Sequence, residues 1–114
     1  GQIPMKDGAL IASGVVPSAV SMEQAQQCAR QCVLNGLAQL HAALGSIDRV
    51  KRIVKVGVFV ACDHGFTDQP KVANGASDLL VEIFGEAGKH ARAAVGVPAL
   101  PLGAAVEVDF VVEV

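Results

Sequence analysis

Aromatic residues are scarce in this sequence, which has no Trp, no Tyr and only four Phe among 114 residues. Sites that bind single-stranded nucleic acid stack its bases on such side chains. Basic residues are also few: nine Lys and Arg stand against eleven Asp and Glu, and the net charge is −2. Nucleic acids and acidic membranes are bound through clustered positive charge. The composition therefore disfavours both as partners.

Long apolar runs are missing as well, and none approaches the roughly 18 residues that a membrane span needs. Residues 1–4 (Gly-Gln-Ile-Pro) lack the charged and apolar regions of a signal peptide. The chain has three cysteines, which is an odd number, and no export signal was found. Together these two observations favour a reducing compartment. We therefore expect a cytoplasmic protein. Because Gly1 stands where an initiator Met is expected, we also expect the chain to be a fragment.

Apolar residues make up 52% of the sequence and charged residues 18%, a composition that is typical of a packed globular protein. A chain of 114 residues is too short for two hydrophobic cores. The hydrophobic period changes several times between that of a strand and that of a helix. The sequence therefore predicts a single α+β domain over residues 1–114.

Two helices are predicted from their end signals. Ser21 and Gln24 form a capping-box pattern, and the helix that follows is expected to run to about Leu44, with Gly45 as its stop. Pro70 fits the first turn of a second helix, where proline is tolerated. The apolar stripe of this second helix ends near residue 85.

The strands are predicted from alternation of apolar and polar residues. A turn at residues 6–8 (Lys-Asp-Gly) predicts two short strands around it, and longer strands are expected over 50–61, 91–97 and 105–114. In the first long strand, the predicted buried face consists of Val54, Val56, Val58 and Val60. Gly57, inside the same strand, indicates a close packing contact.

We expect both helices to cover one face of a mixed sheet. The predicted opposite face mixes apolar and charged residues: Phe59, Val111, Lys55, Arg92, Glu107 and Asp109. Such a mixture is typical of a surface that another subunit partly buries. Arg92 and Glu107 are also predicted on neighbouring strands, so a cross-strand ion pair is the purely structural explanation for them.

Three motifs near the C-terminus carry a family resemblance: Ala-Arg at 91–92, Leu-Pro at 100–101 and Val-Glu-Val-Asp at 106–109. With the Gly-Gln-Ile-Pro segment at 1–4, they resemble the RidA family, also called the YjgF/YER057c/UK114 family, across nearly the whole chain. The resemblance implies a chorismate-mutase-like fold and a homotrimer whose ligand clefts lie between subunits. The family's first strand, and an aromatic residue that closes the cleft, are missing here, as expected for a divergent and N-terminally short member.

The resemblance also implies a reaction, the hydrolysis of reactive enamines and imines to keto acids and ammonia. Arg92 matches the residue that binds the substrate carboxylate, and Glu107 matches the residue that positions or activates water. Gly1, Asn74 and His90 join Arg92 as candidate substrate-binding residues. A guanidinium offers a carboxylate two parallel donors, and a carboxylate can serve as a general base. The C=N bond is already electrophilic, so we expect no cofactor.

Alternative interpretations remain for these residues. The same Arg92 could hold a small carboxylate in a non-catalytic, regulatory trimer, whereas an endoribonuclease fits the acidic composition poorly. His90 fits a histidine at the rim of the cleft or one that shuttles protons. The spacing of Cys28, Cys32 and the Cys-Asp-His segment at 62–64 matches no zinc site, and buried thiols explain the helical pair better. We therefore predict no metal.

Overall fold

The computed structural model describes residues 1–114 and contains five strands and two helices. In chain order these are β1 Met5–Lys6, β2 Ala9–Leu10, α1 Met22–Leu44, β3 Arg52–Ala61, α2 Gln69–Phe84, β4 Ala91–Val97 and β5 Val106–Glu113. Strands β1 and β2 form a small antiparallel hairpin around the predicted turn. All elements predicted from the sequence are present, with shifts of one or two residues at most ends.

The main sheet has the strand order β4-β3-β5. Strand β3 is parallel to β4 and antiparallel to β5, so the sheet is mixed, as predicted. A parallel pair needs a long crossover, and α2 provides it between β3 and β4. Outside the named strands, Gln2 pairs with Val108 on the free edge of β5.

Both helices pack on one face of this sheet, where a single cluster of 21 buried residues forms the core. The sheet contributes mainly valines that alternate along β3 and β5, namely Val56, Val58, Val60, Val106 and Val108. The two helices approach closely at Gly75, where a side chain would collide with the backbone of Gln26. No helix combines the length and the hydropathy that a membrane crossing needs.

The predicted ends of α1 are confirmed. The Ser21 hydroxyl accepts a hydrogen bond from the Gln24 backbone N–H at 3.2 Å, and the Gln24 side-chain oxygen accepts one from the Ser21 N–H at 2.9 Å. This reciprocal pair satisfies two N–H groups that the helix leaves free at its start. Gly45 closes the helix with a φ of 83°, which favours glycine.

The predicted buried face of β3 is wrong at its start. Ile53 is fully buried there, whereas Val54 is only half-buried. Ile53 pairs with Val112 and Lys55 pairs with Val111, so Val54 is an extra residue in the ladder. Such a bulge reverses which side chains face the core. The alternation continues as predicted from Val56 onwards.

The predicted placement of Arg92 beside Glu107 is also wrong. Strand β3 separates their strands, so no cross-strand ion pair can form between them. Arg92 pairs with the buried Val56 and therefore projects from the helix-covered face, while Glu107 pairs with Phe59 on the open face. The sequence could not reveal this, because alternation along one strand does not fix its phase relative to another strand.

Candidate functional site

The guanidinium of Arg92 is held by side chains of α2. Its Nη1 donates hydrogen bonds to Oδ1 of Asn74 at 2.9 Å and to Oγ of Ser77 at 3.2 Å. Asn74 and Ser77 are three residues apart and therefore lie on the same side of the helix. The parallel β3–α2–β4 crossover brings that side of α2 against the edge strand that carries Arg92.

The charge of Arg92 is not compensated within the chain. Both of its partners are neutral acceptors, and no carboxylate lies within ion-pair distance. By contrast, Arg30 and Arg52 pair with Glu82 and Glu113. The two hydrogens of Nη1 are both used, whereas Nε and Nη2 make no hydrogen bond to protein atoms. That free edge can bind a carboxylate through two parallel hydrogen bonds.

His90 extends this arrangement as a short chain of hydrogen bonds. Its Nδ1 lies 2.6 Å from the carbonyl oxygen of Gly88, and its Nε2 lies 2.8 Å from Oγ of Ser77. A carbonyl oxygen only accepts, so Nδ1 carries the hydrogen in the neutral ring and Nε2 is the acceptor. The Ser77 hydroxyl therefore donates to His90 while it accepts from Arg92.

A shallow depression of about 250 Å³ lies over these groups. Its lining consists of Ser77, Val81, Lys89, His90 and Arg92. The Lys89 ammonium donates to the Glu86 carboxylate at 2.8 Å, in an exposed pair that contributes little to stability. The lining thus holds an imidazole and two cations, of which Arg92 has no carboxylate partner, and it contains no carboxylate itself, which suits an anionic ligand.

Glu107 belongs to a separate group on the open face of the sheet, together with Gly1. A side chain at position 1 would place its Cβ 2.6 Å from Oε2 of Glu107, so the glycine permits this close approach. Gln2 fixes the segment by exchanging two backbone hydrogen bonds with Val108, at 2.8 and 2.9 Å. Backbone pairing therefore holds Gly1 next to the carboxylate.

The structure divides the predicted site residues into two sets. Asn74, His90 and Arg92 lie together against α2, and Gly1 lies with Glu107 on the opposite face of the sheet. Ser77, which joins His90 to Arg92, was missed by the sequence analysis. Its position three residues after Asn74 on the predicted helix was the signal that could have identified it.

The cysteines lie outside both sets. Cys28 and Cys32 are buried in α1, and burial raises the pKa of the Cys28 thiol to about 11. Burial, with a smaller contribution from the neighbouring Cys28, raises the pKa of Cys32 to about 12. These are inert core thiols, as the sequence suggested. Cys62 is half-buried near the Gln69 side chain, and no three His, Cys, Asp or Glu side chains converge on a possible metal position.

Comparisons with known proteins give consistent results over the whole chain. Residues 1–114 match the family model described as "YjgF/chorismate_mutase-like, putative endoribonuclease". The sequence is 51% identical over 114 residues to Protein TCP17 of Trypanosoma cruzi, and the match covers 99% of this chain and 71% of that protein.

Solved structures agree with that match. A protein of unknown function from Agrobacterium tumefaciens is 44% identical and superposes with a TM-score of 0.98, over 100% of this chain and 73% of that one. The YjgF gene product of Escherichia coli is 26% identical with a TM-score of 0.61, over 96% and 73% of the two chains. The chorismate-mutase-like α+β fold expected from the motifs is therefore confirmed.

Proposed function

Because this chain belongs to the YjgF/chorismate-mutase-like family, here also called the RidA family, we propose that it hydrolyses reactive enamines and imines of amino acids to keto acids and ammonia. The proposed enzyme is a cytoplasmic homotrimer that needs no metal or organic cofactor. Arg92 is the proposed carboxylate anchor, and Glu107 is the proposed base for water.

The uncompensated guanidinium of Arg92 is the observation that carries this proposal. Asn74 and Ser77 hold one nitrogen of the group and leave the Nε–Nη2 edge free. A 2-imino acid carries its carboxylate next to the reactive carbon. Two hydrogen bonds from Arg92 to that carboxylate would therefore fix the position of the C=N bond.

The chemistry assigned to Glu107 is simple proton transfer. Its carboxylate takes a proton from water while the water oxygen bonds to the imine carbon, and the Glu107 carboxyl then passes that proton to the imine nitrogen. The resulting carbinolamine then loses ammonia and leaves the keto acid. Gly1 borders Glu107 and would offer its backbone to the substrate at that point.

Glu107 cannot reach a ligand on Arg92 of its own chain, because the sheet lies between the two side chains. The proposed site therefore combines Arg92 of one copy with Glu107 of another. The open face of the sheet supports such an assembly, since no element of the chain covers it and Val95 and Val111 are 46% and 57% exposed there. Burying these residues against another copy would be favourable.

A non-catalytic, carboxylate-binding trimer is the second candidate, and one observation favours it. The depression around Arg92 is lined by neutral and basic side chains and contains no carboxylate that could serve as a base. A chain with this site alone would bind a small carboxylate without turning it over. Ligand binding would then raise thermal stability by mass action.

Imine hydrolysis tests the proposal directly. An amino-acid oxidase generates the imine in situ, and keto-acid release is followed with the wild type, Arg92→Ala and the control Arg30→Ala, whose exposed side chain pairs with Glu82 on the helices. We expect the wild type and Arg30→Ala to accelerate release. Arg92→Ala should lose about 10- to 150-fold in kcat/KM, because a hydrogen-bonded charged group contributes about 1.5–3 kcal/mol.

Circular dichroism of each variant separates a lost anchor from a lost fold. No acceleration by folded wild-type protein, together with stabilisation by a keto acid that Arg92→Ala abolishes, would establish the binding trimer instead. Equal activity in all three proteins would remove Arg92 from the site.

A further inference from the structure

We propose that carboxylate binding at Arg92 is coupled to protonation of His90 through the hydroxyl of Ser77. This inference rests on the proposed function, because it takes Arg92 as the carboxylate anchor. It adds a proton-linked step and a further ligand donor, and it assigns positioning roles to His90 and Ser77.

The hydrogen bonds of the empty site leave the Ser77 hydroxyl no hydrogen for a ligand. Nη1 of Arg92 can only donate, so Oγ of Ser77 accepts from it at 3.2 Å. The single hydroxyl hydrogen goes to Nε2 of neutral His90 at 2.8 Å, because Nδ1 already donates to the carbonyl oxygen of Gly88. The hydroxyl hydrogen is thus directed away from a ligand on Arg92.

Protonation of His90 reverses one of these bonds. Both ring nitrogens of an imidazolium are donors, so Nε2 then donates to Oγ of Ser77. That oxygen has two lone pairs and can accept from His90 and Arg92 together. The hydroxyl hydrogen must rotate elsewhere, and the depression is the space that lies over it. A carboxylate on Arg92 would gain Ser77 as a third donor.

The surrounding charges give the coupling its direction. The charged groups that line the depression with His90 are Lys89, next to it in the chain, and Arg92 of β4, and both are cationic. Helix α2 contributes only the neutral Ser77 and Val81 there, and its Asp78 lines the groove towards α1 instead.

The acids near this region are paired with cations. Glu86 pairs with Lys89 and offsets its charge, and Glu82 of α2 pairs with Arg30 of α1. A bound carboxylate supplies the opposite charge and favours the imidazolium.

The expected pH dependence follows from this linkage. If the ligand binds the protonated site more tightly, binding draws a proton from solution. The dissociation constant should then be lowest at pH values below the range where imidazole titrates, and should increase as the pH rises through that range. For one coupled proton, the increase is at most about tenfold per pH unit.

Wild-type protein with pyruvate as the probe gives the first test. NMR titration of the three histidine rings is recorded with and without pyruvate. We expect pyruvate to move the titration midpoint of His90 to higher pH and to leave those of His41 and His64 unchanged. A His90 midpoint that does not move while pyruvate binds would overturn the proton coupling and leave the carboxylate site intact.

Dissociation constants for pyruvate between pH 5.5 and 8.5 give the second test. His90→Asn keeps a donor for the Gly88 carbonyl but has no titrating ring, and His64→Asn is the control at an exposed loop position. We expect the pH dependence in the wild type and in His64→Asn, and nearly constant affinity in His90→Asn. Retention of the full dependence in His90→Asn would assign the proton to another group and refute the coupling.

Ser77→Ala separates the linkage from simple proximity of charges. It leaves His90 and Arg92 in place but removes the rotating hydroxyl, so we expect weaker pyruvate binding at low pH and little change at high pH. Equal losses at both ends of the pH range would contradict the role given to Ser77. No pyruvate binding by the wild type at any pH would refute the carboxylate site itself, and the coupling with it.

Discussion

Arg92 and Glu107 project from opposite faces of one three-stranded sheet, and strand β3 lies between the strands that carry them. The first is anchored to α2, whereas the second lies against the backbone of Gly1. A reaction that uses both groups requires two copies of the chain.

Subunit mixing should restore activity to two impaired variants. If Arg92 and Glu107 of different copies form one site, Arg92→Ala and Glu107→Gln each retain only a small fraction of the wild-type activity as pure proteins. Co-expressed at equal levels, they should regain about one quarter of the wild-type imine hydrolysis, because random mixing rebuilds that fraction of the sites.

Successive affinity purification on two different tags, one on each variant, isolates the mixed oligomers. Mixed oligomers without any regained activity would contradict a site shared between copies. An active pure Glu107→Gln protein would instead remove Glu107 from the chemistry.

The open sheet face should mediate assembly. Val111→Glu places a charge in the centre of the predicted interface, opposite Lys55 and between Asp109 and Glu113 along the strand, whereas Ile83→Glu alters an exposed apolar residue on α2. Analytical ultracentrifugation should give a mass near three times 11.7 kDa for the wild type and for Ile83→Glu, and a smaller mass for Val111→Glu. A monomeric wild type, or a trimeric Val111→Glu, would contradict the proposed interface.

The buried thiols should make the fold sensitive to alkali. In the folded chain the pKa values of Cys28 and Cys32 are raised from 9.0 to about 11 and about 12, so thiol ionisation favours the unfolded chain. The two thiols therefore contribute their full stabilisation below pH 9. This stabilisation is lost as the pH rises towards the pKa values that the thiols have in the folded chain. The expected slope is up to about 1.4 kcal/mol per pH unit for each thiol.

Urea unfolding at pH 8, 9 and 10 measures this slope. Cys32→Ala should reduce the slope, although the smaller side chain also lowers the stability at neutral pH. Cys62→Ala should leave the slope unchanged. A wild-type stability that stays constant up to pH 10 would show that the thiols do not have these raised values.

In Gly75→Ala, the loss of close packing between the two helices should outweigh the gain in helix propensity. Gly75→Ala gains about 1 kcal/mol in propensity. Its Cβ would nevertheless overlap the carbonyl oxygen of Gln26 and lie 3.0 Å from two backbone carbon atoms of the same residue, so the two helices must move apart. We expect a net loss of about 1–2 kcal/mol in the free energy of unfolding.

Asp78→Ala, at an exposed position of the same helix, is the matched control for Gly75→Ala. It should be neutral or slightly stabilising, because alanine has the better helix propensity and no contact is lost. A Gly75→Ala protein that is more stable than the wild type would mean that the helices can separate at little cost.

Much of the secondary structure followed from local chemistry. The capping box at Ser21 and the glycine at 45 mark the ends of α1, and β4 extends over the predicted residues 91–97. Such signals depend only on residues that are close in the sequence, so they can be recognised without knowledge of the fold. The bulge at Val54 did not follow, because it exists only through the register between β3 and β5.

The sequence by itself determined the helix ends, most strand positions and the candidate residues, because period, caps and motif spacing are local properties. The tertiary structure alone decided which of these residues meet. It joined Asn74, Ser77, His90 and Arg92 across the β3–α2–β4 crossover, and it put Glu107 on the other face. Strand order and the relative phase of strands arise from packing against the helices, which no single stretch of sequence encodes.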